Sequence, residues 1–470
     1  MLGIVSIGIF MGTLDASIVN ISLPGIGLYF KAPLSGMLEW VIIAYLLVVA
    51  GTLLTLGRLS DIMGRKVIWL AGLALFTGGS ALCGAAPSLL FLVISRACQG
   101  LGGAMTMAVG TAMVTNAFSA GGLGRAMGLI GAVVAVGVSA GPALGGVITQ
   151  TLSWRWIFYI NIPIGLAGIV AGIRLLPGPM KLSGAKKQFD AIGASILAAG
   201  MTLVMLGMTF GQQTGWLSAT IILTFAIAAV ALVAFLLFER RIANPIVDLS
   251  IFRNRLFSAA LVSSFLSFLS LFAVVFLMPF YLEELLLFQP GRAGLVLTSV
   301  PLTISLIAPL SGWLSDRFGS RVLSSLGLAV ASAGLFFLGR LTQHASLSDI
   351  IWPLILAGFG QALFQSPNNN AIMSSVPANR LGIASGFLAT VRVLGQGFSV
   401  ALAGAIFTSL GGAKAGALLV QNSAHPDCLQ NTFVHAFHVA LRMSMIIAGV
   451  GVFTSLARGE SIRPMRVENR

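Results

Sequence analysis

Fourteen runs of about twenty apolar residues, separated by short polar breaks, constrain this chain more than any other feature. A helix rises about 1.5 Å per residue, so about 20 apolar residues cross the hydrocarbon core of a bilayer. The runs cover 2–23, 38–57, 67–86, 88–116, 126–150, 157–176, 190–209, 217–238, 256–283, 293–312, 321–340, 350–375, 383–410 and 434–457. Only 9% of the 470 residues are charged, 57% are hydrophobic, and the mean hydropathy is +0.99. A water-soluble domain keeps about a quarter of its residues charged. Here the surface must face lipid, and the expected fold is an all-α integral membrane protein.

The net charge of +14 raises nucleic acid as a partner, so the position of the charges decides. They fall in short loops. Nineteen of the 27 Lys and Arg lie in segments on the N-terminal side of the membrane. Five lie on the opposite side, and Arg96, Arg392 and Arg442 fall inside spans. This is the bias of cytoplasmic loops, so both termini are expected in the cytoplasm of a multi-pass cell (inner) membrane protein, with no nucleic-acid partner. Cys83, Cys98 and Cys428 imply no disulfide framework. The first run lacks a basic leader and carries Asp15 in its middle, so it reads as a span rather than a cleavable signal.

An internal repeat is the next signal. Gly57-Arg58-Leu59-Ser60-Asp61 with Gly64 recurs 255 residues on as Gly312-Trp313-Leu314-Ser315-Asp316 with Gly319, and Arg125 and Arg380 share that offset. Two related six-helix halves, 1–176 and 256–470, are expected about an axis along the membrane normal. Residues 177–255 then form an insert of basic linkers and two extra spans, 190–209 and 217–238. In the repeated loops, Asp61 with Arg65, and Asp316 with Arg317 and Arg321, offer carboxylates to backbone N–H groups or to Arg. Contacts of this kind between halves would exist only when the inner side is closed, making a conformational latch. The competing reading is a plain turn with positive-inside charges.

Several further motifs carry a resemblance. Leu14-Asp15-Ala16-Ser17-Ile18-Val19-Asn20-Ile21-Ser22-Leu23-Pro24 lies in the first span, and Gly57 to Lys66 in the next loop. Arg96-Ala97-Cys98-Gln99-Gly100 with Gly102 lies in the fourth span, and Gly137 to Gly146, with Gly141, Pro142 and Gly145, in the fifth. Trp154-Arg155-Trp156-Ile157-Phe158 precedes Asn161-Ile162-Pro163. In this order and spacing the chain resembles the major facilitator superfamily, specifically its fourteen-helix drug:proton antiporter family. The resemblance implies alternating access at the interface of the halves and export of lipophilic, often cationic, compounds against inward proton flow. Antibiotic resistance is the associated trait. The energy source would be the proton gradient, with no cofactor, and a monomer is expected. The sequence departs from that family in two places. Span 383–410 lacks the acidic residue that some relatives carry, and Glu283 stands where Gln is commoner.

Asp15 and Arg96 each lie 8 residues from the opposite-side end of their spans, so both sit near 12 Å depth at about 1.5 Å per residue. An ionisable group there costs roughly 2.5–3.5 kcal/mol on insertion scales unless paired or wet. Their separation in a conformational change could load and unload a proton, as antiport needs. A static pair, or a carboxylate capping a broken helix, is the structural alternative.

Glu39, Glu283 and Glu284 read as solvated helix ends, or else as groups that attract cations or relay protons at the outer entrance. Arg392 is a gating or binding residue or a structural contact. Gly137, Gly141 and Gly145 fall on one helix face, beside Pro142, where a neighbour can approach closely. Asn20, Tyr45, Gln99, Gln361, Asn369 and Gln396 either join helices by hydrogen bonds or face a substrate cavity. His425, Asp427, Cys428, His435 and His438 have no standard metal spacing, and no metal site is expected. A carrier of one metabolite, siderophore or lipid would share this fold. A polytopic membrane enzyme would need a catalytic cluster at one depth, and none is evident.

Overall fold

The computed structural model describes residues 2–32, 37–117, 123–176, 190–215, 217–239, 249–376, 381–421 and 426–458. They are helical almost throughout, because a bilayer offers no partner for backbone N–H and C=O groups and a helix satisfies its own. In chain order the helices are α1 (Leu2–Phe30), α2 (Trp40–Met63), α3 (Arg65–Gly84), α4 (Leu89–Ala117), α5 (Leu123–Thr151), α6 (Trp156–Tyr159) and α7 (Asn161–Leu175). Next come α8 (Ala191–Thr214), α9 (Ala219–Glu239), α10 (Arg255–Phe280), α11 (Pro290–Leu297) and α12 (Ser299–Phe318). The last are α13 (Ser320–Leu338), α14 (Leu347–Ser374), α15 (Leu381–Ser409), α16 (Gly412–Val420) and α17 (Pro426–Leu456).

Eleven of these stretches are long and apolar enough to cross a membrane, and α2 and α8 hold shorter apolar runs. With α5, the set accounts for fourteen passes, α6 joining α7 and α11 joining α12 as single passes. The fold is two six-helix bundles with two additional helices.

The same pairings build both bundles. In the first, α4 packs on α2 and α3, and α7 on α1 and α3; in the second, α14 packs on α12 and α13, and α17 on α10 and α13. The bundles meet along two seams, α5 against α11 and α12, and α2 against α15. The α8–α9 hairpin lies against α2 and α15, beside the second seam.

The sequence repeat is also a structural one. Gly64 turns α2 into α3 at φ 96°, and Gly319 turns α12 into α13 at φ 82°. Each uses its N–H to close the preceding helix, on Ser60 O at 3.0 Å and Ser315 O at 2.9 Å. A side chain is strained at such φ, which explains why glycine stands at both positions. Gly72 and Gly327, again 255 apart, let α3 and α13 press onto α4 and α14.

Two stretches differ from expectation. The segment after 410 is not an open loop: α16 starts from left-handed Gly411 and buries Gly412, Ala413, Ala415 and Gly416, and Cys428 lies in the first turns of α17. Beyond Phe280, α10 continues as a π-helix, Tyr281–Leu285, which carries Glu283 and Glu284. Such wide turns shift the side-chain register by one position.

Candidate functional site

Five helices of the first bundle converge on Asp15. Arg96 Nη1 of α4 lies 2.6 Å from Asp15 Oδ2, and the same nitrogen donates to Gln99 Oε1 at 2.6 Å. Gln99 Nε2 donates to Asp15 Oδ1 at 2.9 Å and to Ser80 Oγ of α3 at 2.9 Å. Asn161, the first residue of α7, donates to Asp15 Oδ1 at 3.2 Å and to Ser80 Oγ at 3.0 Å. Arg96 Nε donates to Val41 O of α2 at 2.9 Å, and its guanidinium carbon lies 4.4 Å from the centre of the Tyr45 ring.

Asp15 and Gln99 are fully buried, and Arg96 is 2% exposed. A lone buried charge is costly; this one has an opposite charge and two amide donors, so desolvation is offset. In this conformation the network is buried and internal to one bundle. It does not line a cleft. Gln99 and Tyr45, read as helix-joining or cavity-facing residues, both contact Arg96 here, Gln99 by a hydrogen bond and Tyr45 through its ring. Ser80 and Asn161 escaped the sequence reading; the single hint was Asn161 within the quoted Asn-Ile-Pro motif.

The α5 glycines face α1: Gly137 abuts Thr13, Gly141 abuts Ser17, and Gly145 abuts Ile18 and Ile21. Ser17 Oγ also donates to Gly137 O at 3.3 Å. On its other side α5 meets the second bundle, where the Pro142 carbonyl abuts Gly294 of α11 and Ser139 lies 3.2 Å from Ser305 of α12.

At the face opposite the termini both seams are shut. Gln150 Nε2 donates to Gln289 Oε1 at 2.7 Å, and the Gly291 N–H donates to Gln150 Oε1 at 3.1 Å. At the other seam Glu39 packs on Gly404 of α15 and is 1% exposed, with its Oε1 lacking a hydrogen-bond partner. Glu284 is likewise buried, against Gly416 and Phe433. Both correct the expectation of solvated helix ends: α15 covers one, and the unforeseen α16 covers the other. Glu283 is half-buried, with Oε1 unpartnered.

The remaining polar candidates are scattered. Gln361 accepts from Ser267 of α10 at 2.7 Å, and Asn20 donates to Ala16 O at 2.8 Å. Asn369, Arg392 and Gln396 are half-buried and share no hydrogen bond with those two or with each other. The neighbour Asn368 is the engaged one, accepting from buried Arg458 at 2.9 Å. Arg458 also donates to Ser320 O, tying the end of α17 to α13 and α14. Of the loop residues, Gly57 lies within α2 facing Ala108 of α4, Arg65 starts α3 after the Gly64 turn and Arg321 lies in the first turn of α13, while the side chains of Asp61 and Asp316 lie outside the described residues. His438 meets Leu341 O at 2.6 Å, and among the described residues no group of three metal-binding side chains converges.

The comparisons agree with this architecture. Residues 5–400, and separately 260–456, match the family model described as Major Facilitator Superfamily. The riboflavin transporter RibZ of Clostridioides difficile is 38% identical over 407 residues, covering 86% of each chain. The multidrug resistance protein Stp of Mycobacterium tuberculosis (H37Rv) is 33% identical, over 86% of this chain and 74% of that one. The tetracenomycin C resistance and export protein of Streptomyces glaucescens is 31% identical, over 86% and 75%. Among solved structures, a bacterial homolog of the human lysosomal transporter Spinster, inward-facing and unoccupied, superposes with a TM-score of 0.69 at 14% identity, over 97% and 96% of the chains. The chain therefore belongs to the Major Facilitator Superfamily and is a multi-pass secondary transporter.

Proposed function

We propose that this transporter exports lipophilic, often cationic, small molecules in exchange for protons. Bundles 1–176 and 256–470 would rock about the two seams, with 177–255 as an insert beside them. Both termini would face the cytoplasm, as the loop Lys and Arg distribution supports. The observation that carries the coupling is one carboxylate, Asp15, held at membrane depth by Arg96, Gln99 and Asn161. Protonation would remove the charge that Arg96 pairs with and loosen five helices at once. Glu39 and Glu283 stand at the entrance on the opposite face. The repeated loops at Asp61 and Asp316 would latch the terminal face when it closes. Two relatives, Stp and the tetracenomycin C protein, bear names that fit drug export.

The test uses proteoliposomes with an imposed pH gradient and a panel of lipophilic cations and neutral drugs. Asp15→Asn is expected to keep the folded protein and lose pH-driven efflux; retained efflux overturns the coupling role. A second reading, carriage of a flavin-like metabolite, is favoured by the 38% identity to RibZ. Saturable riboflavin transport with no transport of unrelated drugs would select it.

A further inference from the structure

The two seams are built on one plan but sealed by different chemistry. Position 39 opens α2, and position 294, which is 255 residues on, lies in α11. Both sit where their helix crosses the partner bundle at the face opposite the termini. At position 294 the residue is glycine, packed on the Pro142 carbonyl and Gly146 of α5. At position 39 it is Glu39, whose carboxyl fills the space over Gly404 of α15. The α5–α11 seam closes on amides, Gln150 with Gln289 and Gly291. The α2–α15 seam closes on a carboxyl group that is 1% exposed, with one oxygen lacking any partner.

The helices packed against α2 supply no counter-charge. α15 carries one ionisable side chain, Arg392, twelve residues from Gly404, and α8 carries none. α1 carries Asp15 and Tyr29, with Lys31 just beyond its end; α4 carries Arg96 and Cys98; α3 carries Arg65, Lys66 and Cys83. Arg58, Asp61 and Tyr45 lie further along α2 itself. Arg96 Nε and Nη1 are engaged by Val41 O, Asp15 and Gln99. A carboxylate sealed without a partner costs several kcal/mol, so a carboxyl in this place is neutral.

We propose that Glu39 is a proton-operated seal: the α2–α15 seam closes when Glu39 takes up a proton and opens when water reaches the group and the proton leaves. This rests on the alternating-access reading above and deepens it. The proton is bound from, and returned to, the compartment on the face opposite the termini. Glu39 therefore moves no net proton across the membrane; it sets how acidity on that face biases the open and closed forms. Because the closed form binds one more proton, acid favours closure. The closed-to-open ratio falls about tenfold per pH unit wherever the open form is ionised.

The experiment places spin labels at Met37→Cys and Leu410→Cys, exposed positions flanking this seam, with Cys98 and Cys428 replaced by Ala. Pulsed dipolar spectroscopy of the protein in lipid nanodiscs, without substrate or gradient, reads the distance from pH 5 to 9. The expected result is a growing open population with rising pH, and a closed population at all pH values in Glu39→Gln. Glu39→Leu serves as a second neutral variant should the first not fold, with the same expectation. A ratio that is flat with pH, or a neutral variant that keeps the full pH response, overturns the proposal. No substrate or gradient is involved, so failure of drug export in proteoliposomes leaves this result standing, and failure here leaves the Asp15 assignment untouched.

Discussion

Gln150 on α5 and Gln289 ahead of α11 form a direct side-chain bridge between the two bundles, 2.7 Å long, at the face away from the termini. Gln150 also accepts from the Gly291 backbone, so one side chain holds both the bend and the helix that follows it. The bridge can exist in only one of the two states that alternating access requires. A neutral hydrogen bond contributes about 1 kcal/mol net.

Gln150→Leu removes both bonds and is therefore expected to shift the equilibrium toward opening at that face by roughly five- to thirtyfold, with little change in overall stability. Cysteine accessibility at the α5–α11 seam, compared between wild type and variant, checks this. Unchanged accessibility would mean that the seam is held by helix packing alone.

Arg96→Ala is expected to destabilise the fold by about 3–5 kcal/mol, because it strands the buried Asp15 carboxylate without its opposite charge. Adding Asp15→Asn to Arg96→Ala should recover part of that loss, as both charges are then gone. Thermal unfolding of the purified single and double variants measures the coupling, expected at about 0.5–3 kcal/mol. Additive losses would show that the pair is not an energetic unit.

Arg458→Ala is expected to cost about 1–3 kcal/mol by leaving Asn368 Oδ1 and the Ser320 carbonyl without their buried donor. Arg458→Lys should rescue little, since one ammonium cannot reproduce the guanidinium fork. Hydrogen exchange at the end of α17 should accelerate in both. Protection equal to wild type in the alanine variant would remove Arg458 from the list of structural ties.

Gly64→Ala and Gly319→Ala are each expected to cost about 1–3 kcal/mol, because a Cβ is strained at their positive φ. The two losses should be similar, as the turns are copies of one another. Melting temperatures of the two variants test this, and a large asymmetry would show that the repeat is not mechanically equivalent.

Much of this architecture was legible in the chain. Span length follows from bilayer thickness, so the fourteen runs fell close to the observed helices. Counting residues from span ends placed Asp15 and Arg96 at one depth, and the structure brings them to 2.6 Å. What stayed hidden depends on which side of a helix a residue occupies. Ser80 is one serine among many until α3 and α4 are packed. Arg458 reads as one more positive loop residue, yet it is 1% exposed beneath α13 and α14. Glu39 reads as a wet helix end because nothing nearby in sequence announces that Gly404, 365 positions later, will cover it.

The α8–α9 hairpin has an asymmetric consequence. It stands against α2 and α15, and among the described residues no comparable pair flanks α5 and α11. A compound dissolved in the acyl chains would meet a fenced approach at one crossing and a bare one at the other. Lateral entry from the leaflet would thus have a handedness, and molecules partitioning sideways into the carrier would be drawn to the unfenced flank.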